Sequence, residues 1–336
     1  MKQITLAHGS GGQAMQQLIG ELFMRAFANP LLAEQEDQAR IPLHELTACG
    51  DRLAFSTDSY VIDPLFFPGG DIGKLAVCGT ANDVAVSGAV PRWLSCGFIL
   101  EEGLEMATLE RIVASMAAAA TAAGIEIVTG DTKVVPRGAA DKVFINTAGI
   151  GTIPGGLHWG MRQIEKGDVL LVSGTLGDHG ATILNLREGL GLEGDLQSDC
   201  AVLTPLTQAL RTEPGVRTLR DATRGGLNAV AHEFAASSGY GIEIAEGSLP
   251  VKSAVRGACE LLGLDPLNFA NEGKLAIVVE RQAAERVLTL LRQHPLGENA
   301  AIVGEVVERK GVRLTGLYGV KRTLNLPHAE PLPRIC

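Results

Sequence analysis

A chain of 336 residues with 46% hydrophobic and 20% charged side chains has the composition of a globular protein, which excludes a largely disordered one, and its length favours two domains. Thirty-eight acidic against 29 basic residues leave a net charge of -9, which argues against sequence-independent nucleic-acid binding, because that needs a basic face to release counterions. The opening MKQITLAHGSGG lacks the apolar run of a signal peptide, and the most apolar stretch, residues 113–123, is too short for a bilayer, so no membrane association is expected.

Taken in order, residues 13–28 predict an amphipathic helix with Met15, Leu18 and Leu22 on one face. A polar stretch at 34–40 precedes short strands at 52–57 and 61–66. Residues 73–88 predict a nearly all-apolar helix, 93–100 a strand, 107–123 an alanine-rich helix, and 125–129 and 143–153 two further strands. The pattern restarts after Gly155-Gly156 with a buried strand at 168–173. Helices are expected near 181–190, 202–210, 227–237, 253–262 and 283–293, and strands at 241–244, 274–279 and 301–307. The alternation predicts an α/β protein, layered in the α+β manner, with domains at 1–155 and 156–316. Beyond Gly316 the periodicity stops. Pro327, Pro331 and Pro333 predict a semi-rigid, mobile tail over 317–336 that would reach roughly 60 Å if fully extended. The six cysteines, at 49, 78, 96, 200, 259 and 336, have no C-x-x-C spacing for a zinc site or redox dithiol, so a reduced cytoplasmic setting is expected.

Carboxylates interrupt apolar or glycine-rich sequence at four places. Ser56-Thr57-Asp58-Ser59 lies at a predicted strand end. Asn82-Asp83 sits inside the apolar helix, where a charge must be paired, hydrogen-bonded or metal-bound. Thr129-Gly130-Asp131-Thr132-Lys133 delivers an acid, a hydroxyl and an amine at another strand end. Asp221-Ala222-Thr223-Arg224-Gly225-Gly226 precedes a helix N-terminus, which suits an anion. Any one alone is equally a turn residue, a satisfied core acid or a helix cap. Together they describe hard oxygen ligands for Mg2+ around a polyphosphate, with Lys133 as a point charge for a phosphate. The early His8-Gly9-Ser10-Gly11-Gly12 lacks the Lys-Ser/Thr ending and the preceding strand of a P-loop; beside the acids it reads as a loop that folds over the nucleotide.

The segments TDS, NDVAVSGAVP, GDT, GDHG and DATRGG resemble the ATP-binding superfamily of aminoimidazole ribonucleotide synthetase. Selenophosphate synthetase, thiamine-monophosphate kinase and the hydrogenase maturation factor HypE belong to that superfamily, and the resemblance runs from about His8 to Gly316. Selenophosphate synthetase would carry a reactive Cys or selenocysteine in its N-terminal glycine-rich loop, where this chain has none. HypE members end in Pro-Arg-(Ile/Val)-Cys, and Pro333-Arg334-Ile335-Cys336 is similar to that signature.

The resemblance implies two domains of the aminoimidazole ribonucleotide synthetase-like fold, paired through the N-terminal domains into a homodimer. It implies that Cys336 receives a carbamoyl group from the carbamoyltransferase HypF. The S-carboxamide is dehydrated with ATP to a thiocyanate, and cyanide passes to iron on a HypC–HypD complex. In this scheme Asp58, Asp83 and Asp131 are the Mg2+ ligands. Gly9, Ser10, Gly11, Gly12, Asn82, Thr132, Lys133 and Asp221 hold ATP, and Lys133 also compensates charge in phosphoryl transfer. Glu272, in a loop before a strand where a carboxylate can be partly desolvated, is the expected base. His179 contacts nucleotide or tail, or is structural. Two rival readings stand beside this one: an ATP-dependent kinase or synthetase of a small metabolite, with Cys336 incidental, and a nucleotide-binding scaffold that docks partners through its proline-rich tail.

Overall fold

Two sheets carry the architecture, one in each half of the chain, and the computed structural model describes residues 2–192, 196–327 and 334–336. The first half opens with short helices α1 (Gln13–Leu18), α2 (Met24–Ala26), α3 (Pro30–Ala33) and α4 (Leu43–Thr47). A π-helical turn over Ile19–Phe23 links α1 to α2, so the helix expected over 13–28 is interrupted and ends two residues early. There follow β1 (Arg52–Tyr60), β2 (Phe66–Phe67), β3 (Gly70–Asp71), α5 (Ile72–Ala85), β4 (Val90–Glu101), α6 (Met106–Ala123), β5 (Glu126–Val135) and β6 (Val143–Ile153). Four of these strands form a sheet in the order β1-β6-β4-β5, antiparallel except for the β4–β5 pair.

The second half contains β7 (Val169–Val172), α7 (Asp178–Glu188), α8 (Thr204–Leu210), β8 (Val216–Asp221), α9 (Gly226–Ser238), β9 (Gly241–Ala245) and α10 (Ser253–Leu262). It continues through β10 (Leu275–Val279), α11 (Ala284–Arg292), β11 (Ala301–Val307), β12 (Gly311–Thr315) and β13 (Lys321–Thr323). Its sheet runs β13-β12-β9-β11-β7-β10-β8, and only β12–β9 is a parallel pair. Most pairs in both sheets are antiparallel, so the α+β description is the apt one.

Helix α5 positions everything that follows. Asp71 caps it by accepting from the N–H groups of Gly73 (2.8 Å) and Lys74 (3.0 Å). Its residues are small or apolar on every face because it is covered on every face: by β1, β6 and β4 beneath, α6 alongside, and α8 from the second half. Gly79 is what lets it sit so close to the sheet. A Cβ there would lie 2.4 Å from the Tyr60 hydroxyl of β1. The largest core cluster crosses between the halves, joining Leu75 and Ala76 of α5 to Ile183 of α7, Val255 of α10 and Phe269. Two further clusters fill the opposite faces of the second sheet, one under α9 and one under α8 and α11.

Three expectations change. The strand expected over 61–66 is absent; β1 instead continues to Tyr60, and only Phe66–Phe67 pairs. Strand β8 has no counterpart in the sequence reading, because Arg217 and Arg220 break the apolar run of VRTLRD. The chain does not become a free tail at Leu317. Strands β12 and β13 form a hairpin, and Leu324 is buried with its N–H on the Val312 carbonyl. Pro331 and Pro333 lie outside the described residues, but Arg334–Cys336 pack against the body, with Ile335 and Cys336 in the largest core cluster.

Gly79→Ala is expected to cost about 1–3 kcal/mol, the usual range for overpacking, and to lower the urea midpoint. An unchanged midpoint would mean that Tyr60 yields without cost.

Candidate active site

Four carboxylates converge from both halves: Asp58 on β1, Asp83 on α5, Asp221 at the end of β8, and Glu272 in the loop entering β10. Asp58 faces α5. It shares a row with Thr147, whose hydroxyl donates to the Ala76 carbonyl of that helix at 2.8 Å. Asp83 accepts from the Ser56 hydroxyl at 2.8 Å. Burial raises the pKa of Asp83, and the Asp58 charge adds to this, against the Ser56 bond and the Arg220 charge. Burial and then the Asp83 charge push Asp221 up to about 7. Glu272 is only 3% exposed, and its Oε1 has no hydrogen-bond partner among the described residues. Burial, followed by the charges of Asp199 and Asp221, holds its carboxyl well above the usual range. Burial and Asp58 likewise raise the Tyr60 phenol. Like charges in one cluster disfavour full ionisation.

The Glu272 loop is fixed from outside the set of residues that the sequence singles out. Asp199 accepts the N–H groups of Glu272 (3.0 Å) and Gly273 (3.2 Å) and pairs with Lys274 at 3.2 Å. Burial opposes its ionisation, but the Lys274 charge and the Glu272 N–H hold its pKa below the ordinary value. A Cβ at Gly273 would fall 1.9 Å from the Asp199 carbonyl oxygen. Nothing in the polar stretch Gln197-Ser198-Asp199-Cys200 signals this role. Asn82, expected at the nucleotide, spends its side chain on the same segment: Oδ1 accepts from Leu203 N–H at 2.8 Å, and Nδ2 donates to the Ala201 carbonyl at 3.0 Å.

Asp131 and Lys133 are placed elsewhere. Strand β5 runs on to Val135, so Asp131 is mid-strand, in the row Ser59–Asn146–Gly97–Asp131. This row alternates with the one that faces α5, and both residues are exposed on either side of buried Thr132. Three strand spacings put Asp131 roughly 14 Å across the sheet from Asp58, on its other face. Here Asp131 accepts from Thr132 N–H at 2.8 Å and pairs with Lys133 Nζ at 2.7 Å, and the Lys133 bond lowers its pKa. Gly9 packs on this strand, where a Cβ would lie 2.8 Å from Val134 N. Ser10 donates to the Ala7 carbonyl at 3.0 Å, and Gly11, at φ 78°, turns the chain into Gly12, which caps α1. Beside Asp131 and Thr132 opens an apolar cavity of about 130 Å3 lined by Met15, Phe23, Phe27 and Phe98.

The end of the chain completes the picture. Cys336 is buried in the cluster that also holds Cys78 and Cys200, and Cys78 adds to the electrostatic pressure on Glu272. Val61 N–H donates to the Cys336 carbonyl at 3.0 Å, and the His179 ring bonds the Ile335 carbonyl at 2.7 Å. Arg334 bonds Val61 O at 2.8 Å and pairs with Asp141 at 2.6 Å, while Arg187 donates to the Arg334 carbonyl. Among the described residues, no three His, Cys, Asp or Glu side chains converge closely enough to hold a metal unaided.

Two halves, each built on its own mostly antiparallel sheet with the acid cluster between them, define the class of AIR synthase related proteins, and the chain matches it. Residues 35–153 match the family described as AIR synthase related protein, N-terminal domain, and residues 165–316 its C-terminal domain. The chain is 77% identical to carbamoyl dehydratase HypE of Escherichia coli (strain K12), over the whole of both chains. A crystal structure of hydrogenase maturation protein HypE in complex with ATP superposes with a TM-score of 0.93 at 48% identity, covering 98% of this chain and 99% of that one. A HypE–HypF complex structure gives 0.80 at 44% identity, covering 92% and 99%. The chain belongs to the HypE carbamoyl dehydratase family.

In protein free of nucleotide and cation, the folded state keeps the Glu272 proton over a range in which the unfolded chain, with an ordinary glutamate pKa near ~4.3, releases it. This contribution is full below about pH 4 and is lost as pH rises toward the folded value, by at most about 1.4 kcal/mol per unit. Glu272→Gln removes this part of the slope and leaves the parts that Asp83 and Asp221 contribute. Its Tm is expected to exceed that of the parent by a margin that grows from about pH 5 to pH 8 and closes near pH 4; parallel curves would mean an ionised, paired Glu272.

Proposed function

We propose that this chain is an ATP-dependent dehydratase that converts an S-carboxamide on its own Cys336 to a thiocyanate, in the maturation of [NiFe]-hydrogenase. The observation that carries this reading is the burial of Cys336 in the core cluster that also holds Cys78, the cysteine that acts electrostatically on the buried Glu272 carboxyl. Family membership points the same way.

Oxide is a poor leaving group, so the carboxamide oxygen must first be activated. That oxygen attacks the γ-phosphorus of ATP, forming an O–P bond as ADP leaves. Loss of the nitrogen's protons and departure of phosphate then leave S–C≡N. One amide and one ATP give one nitrile, ADP and phosphate. Glu272 is assigned as the base, since a carboxylate with a raised pKa is stronger once ionised. Asp58 and Asp83 are assigned to Mg2+, with Asp221 at the phosphate end, because their mutual repulsion is what a divalent cation relieves. When bound, that ion supplies charge compensation for the transferring phosphoryl group.

Asp131 is assigned to a separate cation on the other face, with Lys133 and the Gly9-Ser10-Gly11-Gly12 loop on the nucleotide phosphates, while Thr132, which points to the α5 side, is assigned to the same nucleotide from the wall of the Phe23–Phe98 cavity that would take the base. Asn82 acts there only through the backbone that it holds. On that face Leu53, Phe55 and Ile99 are 59%, 69% and 43% exposed, an apolar strip on an open sheet, and a second copy of the chain is the proposed cover. The N-terminal domain, 1–155, is thus the nucleotide and dimerisation unit. The C-terminal domain, 156–316, supplies Asp221 and Glu272, and the tail docks on both domains, on Val61 and Asp141 of the first and on His179 and Arg187 of the second. No described helix is long and apolar enough to cross a membrane, and the proposed setting is the cytoplasm. The proposed donor is HypF, since a related HypE is known in complex with it; a HypC–HypD complex is the proposed acceptor of cyanide.

Intact mass of protein loaded by the carbamoyl donor, before and after MgATP, tests the reaction. A carbamoyl adduct mapped to Cys336 that then loses one water is expected. An unmodified Cys336 with an active donor would favour a small-molecule kinase, and ATP binding without turnover a scaffold. Cys336→Ala is expected to abolish the product while leaving the thermal melt and ATP binding unchanged. Phe55→Asp is expected to halve the mass seen by light scattering; a species that was monomeric throughout would remove the dimer.

A further inference from the structure

His179 is fully buried in the first turn of α7, and its two ring nitrogens face two different parts of the protein. Nε2 lies 2.7 Å from the Ile335 carbonyl and Nδ1 lies 2.7 Å from the Ser198 hydroxyl. A carbonyl only accepts, so Nε2 carries the hydrogen. The Ser198 oxygen already accepts from Cys200 N–H at 3.1 Å, which leaves its own hydrogen for Nδ1. The result is a directed chain, Cys200 N–H to Ser198 O–H to His179 to Ile335 C=O, that fixes one neutral tautomer. Burial favours the uncharged ring. The Phe67 ring meets the imidazole edge-on, with centroids 5.4 Å apart, and holds its plane.

The carbonyl so gripped belongs to the peptide that enters Cys336, and the main-chain oxygen of Cys336 itself accepts from Val61 N–H. The backbone of the thiol-bearing residue is therefore pinned on both sides. The residue next to Ser198 is Asp199, which holds the Glu272 and Gly273 N–H groups. Two consecutive residues of one loop thus hold the tail, through His179, and the carboxyl-bearing loop directly.

We propose that His179 is the positioning residue of the carrier cysteine, registering Cys336 against Glu272 through the Ser198–Asp199 loop. The role of Cys336 in this statement rests on the function proposed above; the clamp itself does not. His179 touches no reacting atom. It acts by holding the peptide that carries them.

The test compares His179→Gln, whose amide N–H reaches the Nε2 position, with His179→Asn, which reaches only Nδ1. The first readout is the rate at which a small maleimide alkylates Cys336 in full-length protein without nucleotide, mapped by peptide mass and referred to exposed Cys49. The second is kcat and the KM for ATP of dehydration by donor-loaded protein. His179→Asn is expected to raise Cys336 alkylation about threefold to tenfold, the weight of one hydrogen bond, and to lower kcat with KM for ATP unchanged. His179→Gln is expected to restore both. Ser198→Ala, a milder change that frees the tautomer, is expected to fall between them, and it serves if His179→Asn misfolds. Gln and Asn variants that behave alike, or a Ser198→Ala variant with parental alkylation, would overturn the clamp. Parental protein that orders alkylation as expected but never loses water from its adduct would leave the clamp standing and overturn the dehydratase reading instead.

Discussion

The hydrogen bonds of the Asn82 side chain are the constraint on which the rest of the site depends. They tie helix α5, embedded in the first half, to the backbone of Ala201 and Leu203 in the second. The segment thus anchored holds Asp199 and Ser198, and through them the Glu272 loop and the tail. Asp83, the next residue on the helix, projects its carboxylate into the acid cluster. One turn of one buried helix therefore sets both the frame of the site and part of its charge. An unpaired amide or N–H at that depth would cost about 1–3 kcal/mol, which keeps the junction closed.

Much of this was legible in the sequence. The apolar helix of residues 73–88, the alanine-rich helix α6 and the buried strands β7 and β10 follow from hydrophobic periodicity alone, to within a few residues. Short polar strands such as β13 do not, because their stability comes from pairing partners far along the chain rather than from their own pattern. The same limit governs the site. Asp58, Asp83, Asp221 and Glu272 could be singled out because each is an acid in an unsuitable place. The division that puts Asp131 and Lys133 on the other face depends on strand order, which no local spacing encodes. Asp199 and Ser198 were hidden for a related reason. In an ordinary polar stretch, what matters is which backbone groups lie opposite, and only the fold decides that.

The electrostatics of the cluster run against the stability of the empty protein. Asp83, Asp221 and Glu272 are each held protonated over a wider range than in water, by burial and by one another. Such an arrangement is costly unless ligands complete it, and proteins keep strained sites of this kind where chemistry needs them. Asp199 is the exception. Charge-paired to Lys274 and donated to by two N–H groups, it is a buried acid whose ionised form is favoured.

The grip on the tail is made largely through main-chain groups: the carbonyls of Arg334, Ile335 and Cys336 each receive a hydrogen bond. A hold on the backbone is indifferent to what the sulfur bears. The same main-chain contacts can form with a bare thiol, with a carboxamide or with a thiocyanate, so these hydrogen bonds by themselves carry no information about the stage of the reaction. Directionality must then come from elsewhere, from nucleotide occupancy or from the partner that takes the cargo. The carrier is, in that sense, a handle rather than a sensor.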